Sequence, residues 1–242
     1  MSQWQDGWNR QLESDRTLAQ VAIRLWADFP ETTPRPLVLL DGQVWTRGGF
    51  TSGAAKLAYI RRDWQLPPSA PAEVSRLTPA SSGRARNGSD AALPVKEVSQ
   101  AVATFETDRG PVQLPAWRLE SDACSGPIWL LAAAAADRIW RPPAFGSGGH
   151  RLVSAEMISG DDDRLRVSFT GEHPGWVAYE SAEVIASERA LAVLPVAFDT
   201  GPMGARRLPG YVRNVIAVLH GPIGDRVLVN LDASPVAVLG VS

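Results

Sequence analysis

Val212–Val241 reads VRNVIAVLHGPIGDRVLVNLDASPVAVLGV, and the way turns punctuate it decides the fold class. Three runs rich in β-branched residues, Val212–Leu219, Arg226–Leu231 and Val236–Val241, are separated by Gly221-Pro222-Ile223-Gly224-Asp225 and Asp232-Ala233-Ser234-Pro235. β-Branched side chains suit a pleated surface, and Gly, Pro, Asp and Ser supply turn geometry, so the pattern predicts a three-stranded antiparallel meander. In the first run Val212, Ile216 and Val218 share one face with Asn214, while Val215, Ala217 and Leu219 share the other. Both faces are largely apolar, which places this strand inside a sandwich or under a covering layer.

The same grammar recurs upstream. Ala101–Glu106, Val112–Leu119 and Pro127–Ala133 read as another meander, with Asp108-Arg109-Gly110-Pro111 as its first turn, and the shared cadence suggests a duplication. Leu152–Ile158 and Arg164–Phe169 flank Ser159-Gly160-Asp161-Asp162-Asp163 as a hairpin with an acidic turn. Trp176–Tyr179 and Ala182–Ala186 follow, then Leu191–Phe198, whose Pro195 predicts an edge or bulged strand. Asp41-Gly42, between Leu37–Leu40 and Gln43–Trp45, carries a strong hairpin signal, because a type I′ turn needs positive φ at both central residues.

Against these strands stands one clear helix, Asp15–Phe29. Leu18, Val21, Ala22, Leu25 and Phe29 fall on one stripe, Ser14 or Asp15 caps the start, and Pro30 ends it. The chain is therefore expected to be mainly β: an antiparallel β-sandwich or two small β subdomains, with one N-terminal amphipathic helix. Pro and Gly interrupt Ile139–His150 (IWRPPAFGSGGH), which sets the expected boundary between residues 1–143 and residues 144–242. Leu66–Leu93, rich in Pro, Ser, Ala and Gly, reads as a long surface loop outside the core.

Composition narrows function more than it defines it. A net charge of −2 leaves no broad basic surface for neutralising phosphates, which argues against a nucleic-acid partner. The single cysteine, Cys124, excludes an intramolecular disulfide and thiolate zinc clusters. It lies in the polar stretch Glu120–Gly126 and reads as an exposed, unreactive thiol. Met1–Asp6 has neither a basic nor an apolar leader region, and no window reaches the ~18 apolar residues of a membrane span. The expectation is a soluble, cytoplasmic protein without a membrane span.

Candidate chemistry is sparse. His150, His173 and His220 occupy separate loops without metal-ligand spacing, so no cofactor or metal is expected. Asp161-Asp162-Asp163 lacks the alternating acids and glycine of a calcium loop, and Gly146-Ser147-Gly148-Gly149-His150 lacks the spacing of a nucleophile elbow. Two groups merit a ligand reading. Trp4, Trp8 and Trp26 surround the helix and suit stacking on a sugar, or else pin the helix to a sheet. Asp225 and Arg226 end the most specific turn, Gly221-Pro222-Ile223-Gly224-Asp225-Arg226, and either bind a polar ligand or serve the turn and a surface pair.

Two segments resemble recurring signatures of uncharacterised actinobacterial β-rich proteins. They are Phe105-Glu106-Thr107-Asp108-Arg109-Gly110-Pro111 with Leu114–Arg118, and Gly221–Val229 preceded by a strand entered from Glu180-Ser181. Many such relatives are predicted to be anchored outside the cytoplasmic membrane, and the resemblance implies no catalytic residues. This chain departs from them in lacking paired cysteines. Two classes of function stay open. One is a non-catalytic binding or scaffolding protein for a protein or small polar ligand. The other is a hydrolase or metal-dependent enzyme whose site is assembled from distant loops. If the fold needs neither metal nor disulfide, a strong chelator will leave the thermal unfolding transition unchanged by circular dichroism; loss of cooperativity restored by one added metal would refute this.

Overall fold

The structure is a computed structural model that describes residues 3–77, 92–140, 152–200 and 210–240, with side chains from residue 5 onward. The chain begins with α1 (Gln3–Arg24), β1 (Leu37–Val38), β2 (Val44–Thr46), α2 (Gly53–Arg61), β3 (Trp64–Gln65), α3 (Ala72–Leu77) and β4 (Leu93–Pro94). It continues with β5 (Glu97–Thr107), β6 (Gly110–Glu120), β7 (Ile128–Leu131), a 3₁₀ turn (Ala133–Arg138), β8 (Ile139–Trp140) and β9 (Leu152–Ile158). It ends with β10 (Asp161–Gly171), β11 (Val177–Ala186), β12 (Ala190–Asp199), β13 (Tyr211–Val218), β14 (Val227–Val229) and β15 (Val238–Leu239). The protein is mainly β with an N-terminal helix. Two compact units divide it: residues 1–40, 107–110 and 140–242 form one, and residues 41–106 and 111–139 form the other. The expected boundary at residue 143 falls outside the described residues.

The first unit is built in three layers. Sheet β13-β10-β9-β15 faces sheet β11-β12-β14 across a shared core. Along β10 the two-residue period sends Leu165, Val167 and Phe169 inward and Arg164, Arg166 and Thr170 outward. They meet Val215 and Ala217 of β13, Leu191 and Val193 of β12, and Leu228 of β14. The other face of β12 and β14 is covered by α1, whose Ala19, Ala22 and Ile23 lie with Ala190, Ala192, Leu194, Val227 and Val229. Burial on both faces explains why Ala190–Leu194 and Val227–Val229 are unbroken apolar runs.

Several expectations are corrected here. The helix starts at Gln3, so neither Ser14 nor Asp15 caps it. Its buried stripe is Asp15, Ala19, Ala22, Ile23 and Trp26, whereas Leu18, Val21 and Leu25 are 42%, 50% and 44% exposed. Small alanines bring the helix axis close to alanines of β12, and that fit outweighs the larger aliphatic stripe. At the rim, Arg16 grips Glu183 through Nε and Nη2 at 2.7 and 2.5 Å. That charge-assisted bond holds the Glu183 carboxyl below its ordinary value.

The terminal meander does not form. β13 pairs antiparallel with β10, β14 pairs parallel with β12, and β15 pairs parallel with β9. The three runs join two different sheets, and the proposed duplication fails with them. Nor is β13 buried on both faces: Val212, Ile216 and Val218 are 68%, 48% and 55% exposed. Trp176–Tyr179 and Ala182–Ala186 belong largely to one strand, β11, interrupted by a register shift between Tyr179 and Ser181. Pro195 sits in the middle strand of its sheet, past the Ala190–Ala192 ladder to β14, where its missing N–H costs no pairing on that side.

In the second unit the order is β2-β7-β6-β5, and the expected β5, β6 and β7 are all present. Asp41-Gly42 makes no hairpin. Gly42 does adopt a positive φ of 77°, but β2 pairs with β7. Ser52 caps α2 by accepting the Ala55 N–H at 3.1 Å. The loop expected over 66–93 contains α3, and its Val74 and Leu93 are buried with Trp64, Trp117, Leu119, Ile128 and Leu130; residues 78–91 lie outside the described residues. Cys124 is buried rather than exposed, with Sγ 3.5 Å from Thr46 Oγ1. Glycine is needed at position 48, where a Cβ would sit 2.4 Å from the Gly126 nitrogen.

No described helix is long and apolar enough to cross a membrane. The assignment of faces is tested by two substitutions. Val227→Asp, with its side chain 1% exposed in the helix-covered layer, is expected to cost several kcal/mol, whereas Ile216→Thr on the outer face of β13 changes stability by less than about 0.5 kcal/mol. Urea unfolding of both variants checks the contrast.

Candidate functional site

Thr107–Gly110 closes on itself before it binds anything else. Thr107 Oγ1 donates to the Gly110 carbonyl at 2.6 Å and accepts the Arg109 N–H at 3.1 Å, and Gly110 takes a positive φ of 90° that suits glycine. The turn thereby presents Asp108 and Arg109 as a fixed pair. The Asp108 carboxylate is 1% exposed. Its Oδ1 accepts the Val38 N–H at 3.0 Å and its Oδ2 accepts Arg35 Nη2 at 2.5 Å. Its backbone N–H donates to the Val38 carbonyl at 2.9 Å, and its carbonyl accepts the Val238 N–H at 3.0 Å. A buried carboxylate is tolerable when paired and bonded in this way.

The two arginines reach on to the turn at 221–226. Arg109 Nη2 donates to the carbonyls of Gly224 and Arg226 at 2.6 and 2.9 Å. Arg35 Nε donates to the Asp225 carbonyl at 2.8 Å, and its guanidinium lies 4.7 Å from the centre of the Phe29 ring. Arg226 folds back on its own turn: Nε donates to the Ile223 carbonyl, and Nη2 donates to those of Gly221 and Pro222. Every carbonyl from Gly221 to Arg226 therefore accepts from a guanidinium. Positive φ at Gly221 (99°) and Gly224 (54°) makes the path attainable.

Charge is crowded at this point. Burial, and then the neighbouring Arg35, push the Arg109 guanidinium down to about 10, while Asp108 and Asp225 oppose the shift. Arg109 Nη1 is buried with no hydrogen-bond partner. A base whose folded pKa lies below its unfolded one loses stability while it stays charged. That penalty is full at neutral pH and is relieved as pH rises from about 10 toward the ordinary arginine range. Burial also lowers Arg226.

Beside this clasp lies a cleft of about 760 Å³. One wall is the turn, Pro222–Asp225; the other is the β9–β10 hairpin, Glu156–Gly160 with Asp162; Arg35 and Arg109 lie behind them. Met157, Ile158 and Ile223 supply apolar surface. Glu156 is paired with Arg166 at 3.3 Å. The carboxylates of Asp162 and Asp225 accept no hydrogen bond among the described residues.

Of the residues singled out in the sequence, Asp225 lines this cleft and Arg226 does not. Arg226 serves its own turn rather than a surface ion pair. The tryptophans do not form one site. Trp26 is fully buried, donates Nε1 to the Ala233 carbonyl at 2.9 Å and packs on Phe29 and Trp140, which pins the end of the helix. Trp8 lies 18 positions earlier, roughly 27 Å along a helix, and borders a void of about 20 Å³ beside Phe169 and Tyr179. The side chain of Trp4 and all of His150 lie outside the described residues. His173 stacks with Trp176 and Tyr211 while its Nδ1 accepts the Gly175 N–H, and His220 is exposed. Among the described residues no three His, Cys, Asp or Glu side chains are grouped as a metal ion requires.

Sequence reasoning passed over Arg35, Asp108 and Arg109 as site residues. The available signal was the Asp108-Arg109 pair itself, in a turn, 107–110, that meets the turn 221–226 through Arg109. No family model matches this chain, and comparison with curated proteins and with solved structures finds no match.

The clasp makes a direct demand on stability. Asp108→Asn leaves two buried guanidiniums without their shared carboxylate and is expected to cost about 3 kcal/mol, as removal of one partner from a buried pair does. The urea midpoint reads the loss, and amide exchange at Ile223–Arg226 should accelerate with it; an unchanged midpoint would show that Asp108 is not the anchor.

Proposed function

We propose that this chain is a non-catalytic binding protein and that the cleft between the Gly221–Arg226 turn and the β9–β10 hairpin seats its ligand. One observation carries the reading: apart from the buried Arg109 Nη1, the guanidinium donors of Arg35 and Arg109 are committed to Asp108 and to backbone carbonyls, while the Asp162 and Asp225 carboxylates on the walls accept no hydrogen bond among the described residues. Arg35 and Arg109 direct their bonded donors at Asp108 and at turn carbonyls. Asp162 and Asp225 remain on opposite walls with unused acceptor capacity above apolar surface. Such a cleft favours a donor-rich cationic group on an apolar stem, either a small amine or a basic side chain of a partner protein. The same carboxylates disfavour a phosphate group at this cleft. The clasp supports a binding role in a second way, because a turn held along its whole length loses little entropy when a ligand arrives.

Calorimetric titration at low salt with spermidine and with short lysine- or arginine-containing peptides tests the proposal. Saturable binding is expected, weakened at least about tenfold in the Asp162→Asn/Asp225→Asn double variant and by added salt. Both substitutions are nearly isosteric and leave the clasp intact. Binding that ignores them, or no binding by any of these cations, would overturn the assignment.

A further inference from the structure

A separate groove in the second unit points to a different ligand. It has a volume of about 330 Å³ and is lined by Asp41, Val44–Arg47, Tyr59, Thr104 and Glu106. Trp45 forms its platform. The indole is partly exposed and braced by Phe105, edge-on at 6.2 Å, and by its cross-strand partner Trp129 at 6.0 Å. Neighbours that fix the ring leave little entropy to lose when something flat settles on it. Arg47 already rests there, with its guanidinium carbon 5.5 Å from the ring centre.

The polar groups around the platform divide into spent and unspent. Thr46 Oγ1 donates to the Pro127 carbonyl and accepts the Gly48 N–H, and Tyr59 Oη donates to the Val44 carbonyl at 3.4 Å. The side chains of Asp41, Arg47, Thr104 and Glu106 make no hydrogen bond among the described residues, and the Trp45 Nε1 is buried without a partner. Two carboxylates, a guanidinium and a hydroxyl thus surround an aromatic face, and this mixture selects among ligand chemistries. A cation would satisfy Asp41 and Glu106 but be repelled by Arg47. An anion would satisfy Arg47 but be repelled by both acids. A polyhydroxylated ring meets every demand: its hydroxyls donate to carboxylates and accept from a guanidinium, and its C–H face packs on an indole. The volume lies at the lower end of small-ligand pockets, large enough for one or two sugar rings.

We infer that this groove is a binding site for a neutral saccharide, with Trp45 as platform, Asp41 and Glu106 as acceptors and Arg47 as a donor that moves off the ring. The inference does not depend on the cleft in the first unit, and none of its residues lines that cleft.

The test is saturation-transfer NMR of the full chain with glucose, galactose, N-acetylglucosamine, maltose and cellobiose at millimolar concentration, with arginine and inorganic phosphate as charged controls. At least one neutral sugar should bind saturably and perturb the Trp45 indole N–H and the Arg47 and Thr104 amides. Trp45→Ala should weaken that binding about tenfold. If Trp45→Ala fails to fold, Glu106→Gln keeps the test, because it removes an acceptor's charge at a partly exposed site without changing shape, and should weaken binding several-fold. No saturable binding by any of the five sugars, binding unaffected by both substitutions, or preference for arginine or phosphate would each overturn the inference.

Discussion

The carboxylate of Asp108 is the constraint on which the first unit depends. Charge taken out of water is costly, and this one is repaid by an arginine and a backbone N–H while its own main chain bonds Val38 and Val238. A single residue thus ties β1, β15 and Arg35 to one point. Because the carboxylate is shared between Arg35, at 2.5 Å, and Arg109, at 4.0 Å, two guanidiniums are held close together in spite of their repulsion. Each then needs further acceptors, and the turn at 221–226 supplies them.

That sequence of demands accounts for the shape of the cleft. Carbonyls in a turn ordinarily face water; here all those from Gly221 to Arg226 face guanidiniums. The turn becomes a stiff wall although it belongs to neither sheet. Binding surfaces built from loops need such support, since an unsupported loop gives up on ordering much of what contact provides. The excess of charge here is therefore mostly architecture, with the Arg109 Nη1 left buried without a partner and the Asp162 and Asp225 carboxylates standing on the walls of the cleft.

The layers beneath are set by a different force. β12 and β14 are apolar on both faces because one face meets the opposing sheet and the other meets α1. The helix docks chiefly through Ala19, Ala22 and Ile23, with Leu12 partly buried beside them, rather than through Leu18, Val21 and Leu25. Close approach of backbones recovers more dispersion than a bulkier, more distant contact, and it leaves Leu18, Val21 and Leu25 toward solvent. Trp26, bonded to the Ala233 carbonyl, then fixes how far the helix extends over the sheet.

Local sequence determined what is local. Two-residue alternation in β10, the turn chemistry of Gly110, Gly160 and Gly224, and the run of strand-formers in β5 to β7 each depend on neighbours within a few positions, so the mainly β class and most strand positions were legible. Asp225 was legible as a turn residue for the same reason, since its turn announces itself. Partner choice was not legible. β13, β14 and β15 follow one another in sequence, yet their hydrogen bonds go to β10, β12 and β9, because pairing is decided by which apolar face can be buried against which sheet. Nor could spacing reveal that Arg35, Asp108, Arg109 and Arg226 meet, since residues 73 and 115 positions apart share no periodic signal. The sequence by itself determined strands, turns and a helix; only tertiary structure decided which faces are buried and which charges meet, because burial and Coulomb attraction act through space and carry no trace of separation along the chain.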